Sequence, residues 1–386
     1  MGILHLIKVL EAECPNALVT RKLEEFCGYK IAIDISIYLN KFIKSTGPDG
    51  SEWIDNFIEM FCRLKKCGIK LICVFDGPGA PREKRQEQEK RRNDAVKKNK
   101  KIDDAKYLLA KIESDYVPYD TPLETNIKEQ IRNVVGKNRR RETEDIEDYD
   151  DLAGVVMGIK QAIVRYEKQN ASILPEHSQI LKEIIAAMGF NMFVAEGEAE
   201  GLCSWMCRRG IVDAVLTEDT DVLAYGCPMV LFKMNKFHNT ALVIRYEDVL
   251  SELDLTPECF LDMCIFLKCD YNKYSKILGY PRGRIDKKGK PKKPVAIGTK
   301  KVLPWIREHH SLENISEILE NPEDLIYERC REIFTLPEED PKYIRIAYDR
   351  KLDVEGLKKI LQEHKTRITM DFIRLSWIPT PILFPK

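Results

Sequence analysis

Apolar residues recur along this chain in two different periods, and the changes between them mark out its elements. Residues 3–12 have the spacing of a short amphipathic helix. Residues 52–67 do the same more strongly, with Trp53, Phe57, Met60, Phe61 and Leu64 on one side. The helical period returns over 152–166, 178–188 and Lys300–His309. Between these stretches lie short unbroken apolar runs of strand type. They are the IAI that ends at Asp34, KLICVF over Lys70–Phe75, FNMFV and AVL before two acidic pairs, Val230–Phe232 and Leu242–Ile244. Thr256-Pro257 opens a further helix, a cap followed by proline, expected to run through PECFLDMCIFLKC to Asp270. Strands alternating with helices predict an α/β fold with a mainly parallel central sheet flanked by helices.

The polar positions are equally uneven. Residues 82–106 (REKRQEQEKRRNDAVKKNKKIDDAK) read as polar all round and strongly basic. Such a stretch is either a solvated helix laced with ion pairs or a wall that contacts phosphates. The pattern fades from about 107 to 151, and residues 142–151 (ETEDIEDYDD) are acidic without a base, as in a mobile loop. Residues 281–301 are basic with Gly and Pro throughout. Within them Ala296-Ile297-Gly298-Thr299-Lys300-Lys301 is either a flexible basic loop or a hairpin between helices whose N–H groups hold a phosphate. No internal repeat is found.

Composition narrows the class. With 386 residues, 44% of them hydrophobic, the chain can bury a large core in two or three domains, or in one α/β body with an appendage. Net charge is zero, from 62 basic and 62 acidic side chains, so only the local charge blocks are informative. The twelve cysteines include no C-x-x-C pair, and no histidines cluster with them. They read as reduced core thiols of an intracellular protein, not as a zinc site. MGILHLIKVL is too short and mixed for a signal peptide, and Leu6 breaks the myristoylation pattern. No apolar run reaches membrane-spanning length.

The candidate chemistry sits where strands end. Asp34 follows the first run and Asp76 the second. Glu198 and Glu200 follow FNMFV, and Asp219 and Asp221 follow AVL. A single Asp after a strand is commonly a cap or turn residue. Four strand ends all bearing carboxylates point instead to the ligand edge of an open α/β sheet. Acids gathered there repel one another unless a cation lies between them. Mg²⁺ or Mn²⁺, which favour oxygen ligands, suit such a set.

Taken in order, MGI, IAIDISIYLNKF, ICVFDGPGAPREKRQEQEKRR, EGEAEG, TEDTDVLAYG and FLKCDY closely resemble the flap endonuclease/Rad2 family of structure-specific 5′ nucleases, with its PIN-like fold. The resemblance covers roughly 1–106 and 178–312, and 351–375 more weakly. It implies a two-metal phosphodiesterase using Mg²⁺, with Mn²⁺ able to substitute. It puts Asp34, Asp76, Glu198 and Glu200 around one ion and Asp219, Asp221 and Asp270 around the other. It also implies gateway bases at Lys84, Arg85, Lys90 and Arg91 and a substrate contact at Gly2. Tyr38 is either a base-stacking ring or a core tyrosine. Gly298, Lys300 and Lys301 match a helix-two-turn-helix segment that grips duplex backbone.

The division expected from this likeness is a nuclease region with a basic arch helix (1–106), an arch insertion (107–177) and a second nuclease region (178–251). A duplex-binding segment (252–312) and a helical C-terminal region (313–386) follow. The expected substrate is branched or nicked duplex DNA with a 5′ single strand, cut by a monomer at nuclear or viral sites of replication. The alternatives are a non-catalytic nucleic-acid-binding member, a four-way-junction resolvase or an RNA-directed 5′ exonuclease. The chain departs from the family in a long span between Asp76 and Glu198, in Ala296 where a hairpin glycine is usual, and in a Lys-rich insertion before that hairpin. KKGKPKKP is a nuclear localisation signal or a phosphate contact, and no sliding-clamp box is seen.

Overall fold

The computed structural model describes residues 2–47, 50–79, 81–114, 152–280, 293–337, 346–348 and 350–378. The acidic stretch 142–151, most of KKGKPKKP and the last residues of the LSWIPTPILFPK tail lie outside the described residues.

Each apolar run read as a strand forms one. They are β2 (Lys30–Asp34), β3 (Lys70–Phe75), β4 (Asn191–Val194), β5 (Ala214–Thr217), β6 (Met229–Asn235) and β7 (Thr240–Arg245). A further strand, β1 (Leu18–Lys22), escaped the reading because four of its five residues, all but Leu18, are exposed and leave almost no apolar signal. The seven strands lie in the order β1-β7-β6-β5-β2-β3-β4. From β6 to β4 all pairings are parallel, whereas β7 pairs antiparallel with both β6 and β1.

This topology brings the acids together. The strands β2, β3, β4 and β5 point the same way, so their carboxyl ends share one edge of the sheet. Asp34, the last residue of β2, pairs in register with Val74, two positions before Asp76. Ile33 pairs with Leu216, three positions before Asp219. Residues far apart along the chain therefore come within a strand spacing or two of each other.

Two elements end differently from expectation. The helix after Thr256 covers Pro257–Leu267 and stops short of Asp270. Lys268 there takes φ 79, and its carbonyl accepts the Leu4 N–H at 2.9 Å, so the N-terminal segment replaces the next helical turn. The basic stretch begins as a 3₁₀ turn at Arg82–Lys84 and continues as one helix, Arg85–Ser114, beyond the point where its pattern fades. It is not polar all round: Ile102, Ala105, Leu108 and Ile112 form a buried stripe with Ile159 and Ile163 of the helix Leu152–Asn170. The helix Ile35–Thr46 leaves β2 with no glycine or proline in the sequence to mark the change.

Contacts divide the chain into two compact units. The first contains residues 1–39, 54–87 and 175–386, with the whole seven-stranded sheet and an extended apolar core. Within it, Val295–Ala296 pairs with Leu278–Gly279 just before the helix Thr299–His309. The second unit contains 40–53 and 88–174, and the packed stripe just described is its core. All twelve cysteines are free thiols. Among the described residues no helix is long and apolar enough to cross a membrane.

Candidate active site

All seven sequence-nominated acids belong to the first unit. Asp34 is 3% exposed; its carboxylate accepts the Ile37 N–H at 3.2 Å and the Thr217 hydroxyl at 3.0 Å. It caps its own following helix and ties β2 to β5. Burial, reinforced by the charges of Asp76 and Asp219, pushes its carboxyl up to about 7. Asp76 accepts the Ala199 N–H at 2.9 Å, at the start of the helix Ala199–Arg208. Its own N–H donates to Ser36 at 3.0 Å.

Glu198 precedes that helix and Glu200 lies in its first turn. Glu198 accepts the Tyr271 hydroxyl at 2.7 Å and is ion-paired with Lys84. Glu200 is buried, and its carboxyl is raised first by that burial and then by Glu198, Asp219 and Asp34. Asp219 accepts the Asp221 N–H at 3.1 Å and is raised chiefly by burial. Asp221 is 1% exposed and, among the described residues, neither of its carboxylate oxygens has a hydrogen-bond partner. Burial, then the charges of Asp219, Cys269 and Asp270, raises it well above the carboxylate range. Asp270 is 4% exposed and accepts from Lys273 at 3.0 Å.

A second counter-charge beside these acids, after Lys273, is Lys84. Its ammonium pairs with Glu198 and lies 3.9 Å from Asp270. Burial works against that charge, but Glu198 and Glu200 outweigh it and raise the ammonium above its ordinary value. Arg85, next in sequence, is exposed at the helix start. Lys90 and Arg91 are exposed residues of the second unit.

Gly2 is built into the site. Its φ is 84, and a Cβ there would lie 2.1 Å from Asp219 Oδ1 and 2.7 Å from Asp221 Oδ1. Ile3 N–H donates to the Thr220 hydroxyl at 2.8 Å, which holds the N-terminal segment against the second acidic pair. Tyr38 is 2% exposed, so its ring faces packed neighbours and would have to be uncovered to stack on a base. Gly298 precedes the helix Thr299–His309, with Lys300 and Lys301 in its first turn. Among the described residues, neither lysine shares a hydrogen bond or ion pair with the acids.

A divalent cation suits this donor set. The acids are hard oxygen donors, four of them are held up by burial and mutual repulsion, and Asp221 offers two unmatched oxygens. Yet among the described residues no three His, Cys, Asp or Glu side chains already surround one ligand point. Instead, Glu198 and Asp270 turn toward lysines. The chemistry of the residues fits the ion; their present pairing is with ammonium groups.

Sequence reasoning missed Tyr271, Lys273, Glu87 and Thr217. Tyr271 directly follows Asp270, an acid already singled out, and Lys273 lies three residues after it, which is a usable signal. Glu87 is one acid inside a mixed charge run and has none.

The model of the XPG N-terminal domain matches residues 1–98, and that of the XPG I-region matches 189–270. Flap endonuclease 1 of Enterocytozoon bieneusi is 27% identical over 346 residues, 86% of this chain and 77% of the relative. That of Zea mays is 28% identical over 356 residues, 87% and 76% of the two chains. Among solved structures, the catalytic core of Rad2 in complex with DNA substrate aligns with TM-score 0.59 at 16% identity, covering 98% of this chain and 100% of that one. Flap endonuclease-1 from Methanococcus jannaschii aligns with TM-score 0.55 at 20% identity, covering 93% and 94%. At these identities the solved structures speak for the fold.

Proposed function

The chain belongs to the flap endonuclease/Rad2 family, and from that premise we propose that it is a structure-specific 5′ nuclease. It hydrolyses DNA phosphodiester bonds at 5′ flaps, nicks or branched junctions in replication, repair or recombination, with Mg²⁺ as cofactor and Mn²⁺ able to replace it. The observation that carries this reading is the convergence of four parallel strand ends on one acidic cluster, in which Asp34, Glu200, Asp219, Asp221 and Asp270 are buried and the Asp221 carboxylate is unmatched.

Asp34, Asp76, Glu198 and Glu200 would hold one cation, and Asp219, Asp221 and Asp270 the other. Bound there, two such ions supply the charge stabilisation that phosphodiester hydrolysis needs at the attacking and leaving oxygens. The chain's own residues do the rest. Thr217 and the N–H groups of two helix starts hold the Asp34 and Asp76 carboxylates, and Ser36 accepts the Asp76 backbone N–H. Lys84 holds a positive charge beside Glu198 and Asp270, where it can pass to an arriving phosphate. Arg85, Lys90 and Arg91 contact the 5′ strand. Gly298, Lys300 and Lys301 hold duplex backbone without reading sequence.

The test is a panel of end-labelled flap, nick, bubble, four-way-junction and RNA substrates with Mg²⁺. Asp219→Ala and Asp221→Ala should abolish cleavage while DNA binding persists. Cleavage that continues in chelator-treated buffer would contradict the proposal. Cleavage of four-way junctions alone would move the assignment to a resolvase.

A further inference from the structure

The loop behind Asp270 holds a second ammonium group. Lys273 donates to Asp270 at 3.0 Å and also lies 3.6 Å from the carboxylate of Glu87. Glu87 is 5% exposed, although it sits at the base-rich start of the helix Arg85–Ser114. Its carboxylate accepts the Tyr274 hydroxyl and pairs with Lys273. An acid is not buried at such a place without partners. Here both named partners come from the turn that follows Asp270.

We propose that Lys273 is a built-in competitor for the cation site at Asp270, and that Glu87 is the positioning residue that shares this ammonium and so sets the enzyme's divalent-cation requirement. The inference rests on the two-cation reading above. An ammonium drawn between two carboxylates is held less firmly by either one. Tyr274 keeps the Glu87 carboxylate in place, so Lys273 stays partly drawn away from Asp270. Without the Glu87 charge, the remaining carboxylate partner of Lys273 among the described residues is Asp270. A divalent ion must then displace a more tightly bound competitor. Lys84 lies 3.9 Å from the other carboxylate oxygen of Asp270, so Lys273, at 3.0 Å, is the closer of these two lysines to that acid.

The experiment compares the full chain with Glu87→Gln, Lys273→Met and the double variant. Two readouts are taken: Mn²⁺ binding by calorimetry without DNA, and the Mg²⁺ midpoint for flap cleavage. Glu87→Gln should raise both constants about three- to tenfold, and Lys273→Met should lower both by a similar factor. In the double variant the effect of Glu87→Gln should largely vanish, because its lever is gone. An equal effect of Glu87→Gln with and without Lys273 would overturn the proposal. So would an unchanged or raised cation requirement in Lys273→Met, which decides the matter even where Glu87→Gln does not fold. A wild-type protein that binds no Mn²⁺ and cleaves without divalent ions would instead refute the two-cation reading itself.

Discussion

The two ends of the helix Arg85–Ser114 use charge in opposite ways. Near its start, in the first unit, Lys84 and Glu87 are largely buried, and each is matched to a specific partner reached across the fold. Further along, in the second unit, pairs such as Lys106 with Glu167 and Lys160 with Glu113 connect half-exposed side chains. A buried charge is weakly screened, so one substitution there changes the chemistry. An exposed pair is worth little, and only the sum of such charges matters. The second unit is held by its apolar stripe, whereas the acidic cluster is held together against its own repulsion by the sheet.

The largest effect should follow from Asp221→Asn. If Asp221 holds a cation as proposed, removing this carboxylate should reduce flap cleavage by roughly three orders of magnitude or more. It should also raise the melting temperature in chelator, because a buried, unmatched carboxyl that its surroundings make costly to ionise gives way to a neutral amide. Opposite movement of activity and stability marks a site built against its own stability. A variant that is both less active and less stable would break the contrast.

The second unit should show the reverse. Ile159 is fully buried against the stripe of the long helix. Ile159→Ala should cost about 2–5 kcal/mol of packing. Hydrogen exchange should locate the loss in the helices Arg85–Ser114 and Leu152–Asn170 and leave the sheet protected. Loss of protection spread evenly into β2 and β5 would mean that the two units do not open separately.

The acids at the strand ends were legible in the sequence, the partners and stripe that complete the contrast were not, and the limit has a physical cause. A strand followed by an acid is a local pattern, so Asp34, Asp76, Glu198, Glu200, Asp219 and Asp221 could be read one by one. Their convergence needed only the rule that parallel strands share their carboxyl ends. Pairing across the fold has no local trace, which is why Glu87 and Lys273 were invisible as a pair. The apolar stripe was hidden for another reason: Ile102, Ala105, Leu108 and Ile112 are diluted by lysines and acids on the other faces. Tyr38 kept two readings in sequence because a buried ring and a stacking ring look the same on paper.

Gly2 refines the picture of the buried side. Gly2→Ala adds a single methyl group, yet it would press on Asp219 and Asp221 and strain a positive φ. Cleavage should fall about ten- to a hundredfold, since small displacements of reacting groups are costly. DNA binding measured in Ca²⁺ should change little. An equal loss in binding and cleavage would place Gly2 with the DNA rather than against the carboxylates.

The smallest effect is expected on the exposed helix. Lys90 and Arg91 are solvent-exposed, and if they contact phosphates they do so as part of a charge field. Replacing both with glutamine should weaken binding of a flap substrate only a few-fold at low salt. The slope of log K against log salt should shrink by about 0.7–0.9 for each phosphate that is no longer neutralised. The weakening should be the same for every flap sequence, because backbone contacts carry no base information. The Mg²⁺ midpoint for cleavage should stay near the wild-type value, in contrast to Glu87→Gln on the same helix. If the double glutamine variant instead moves the Mg²⁺ midpoint and leaves the salt slope intact, these two bases belong with the buried charges, and the division along the helix is drawn in the wrong place.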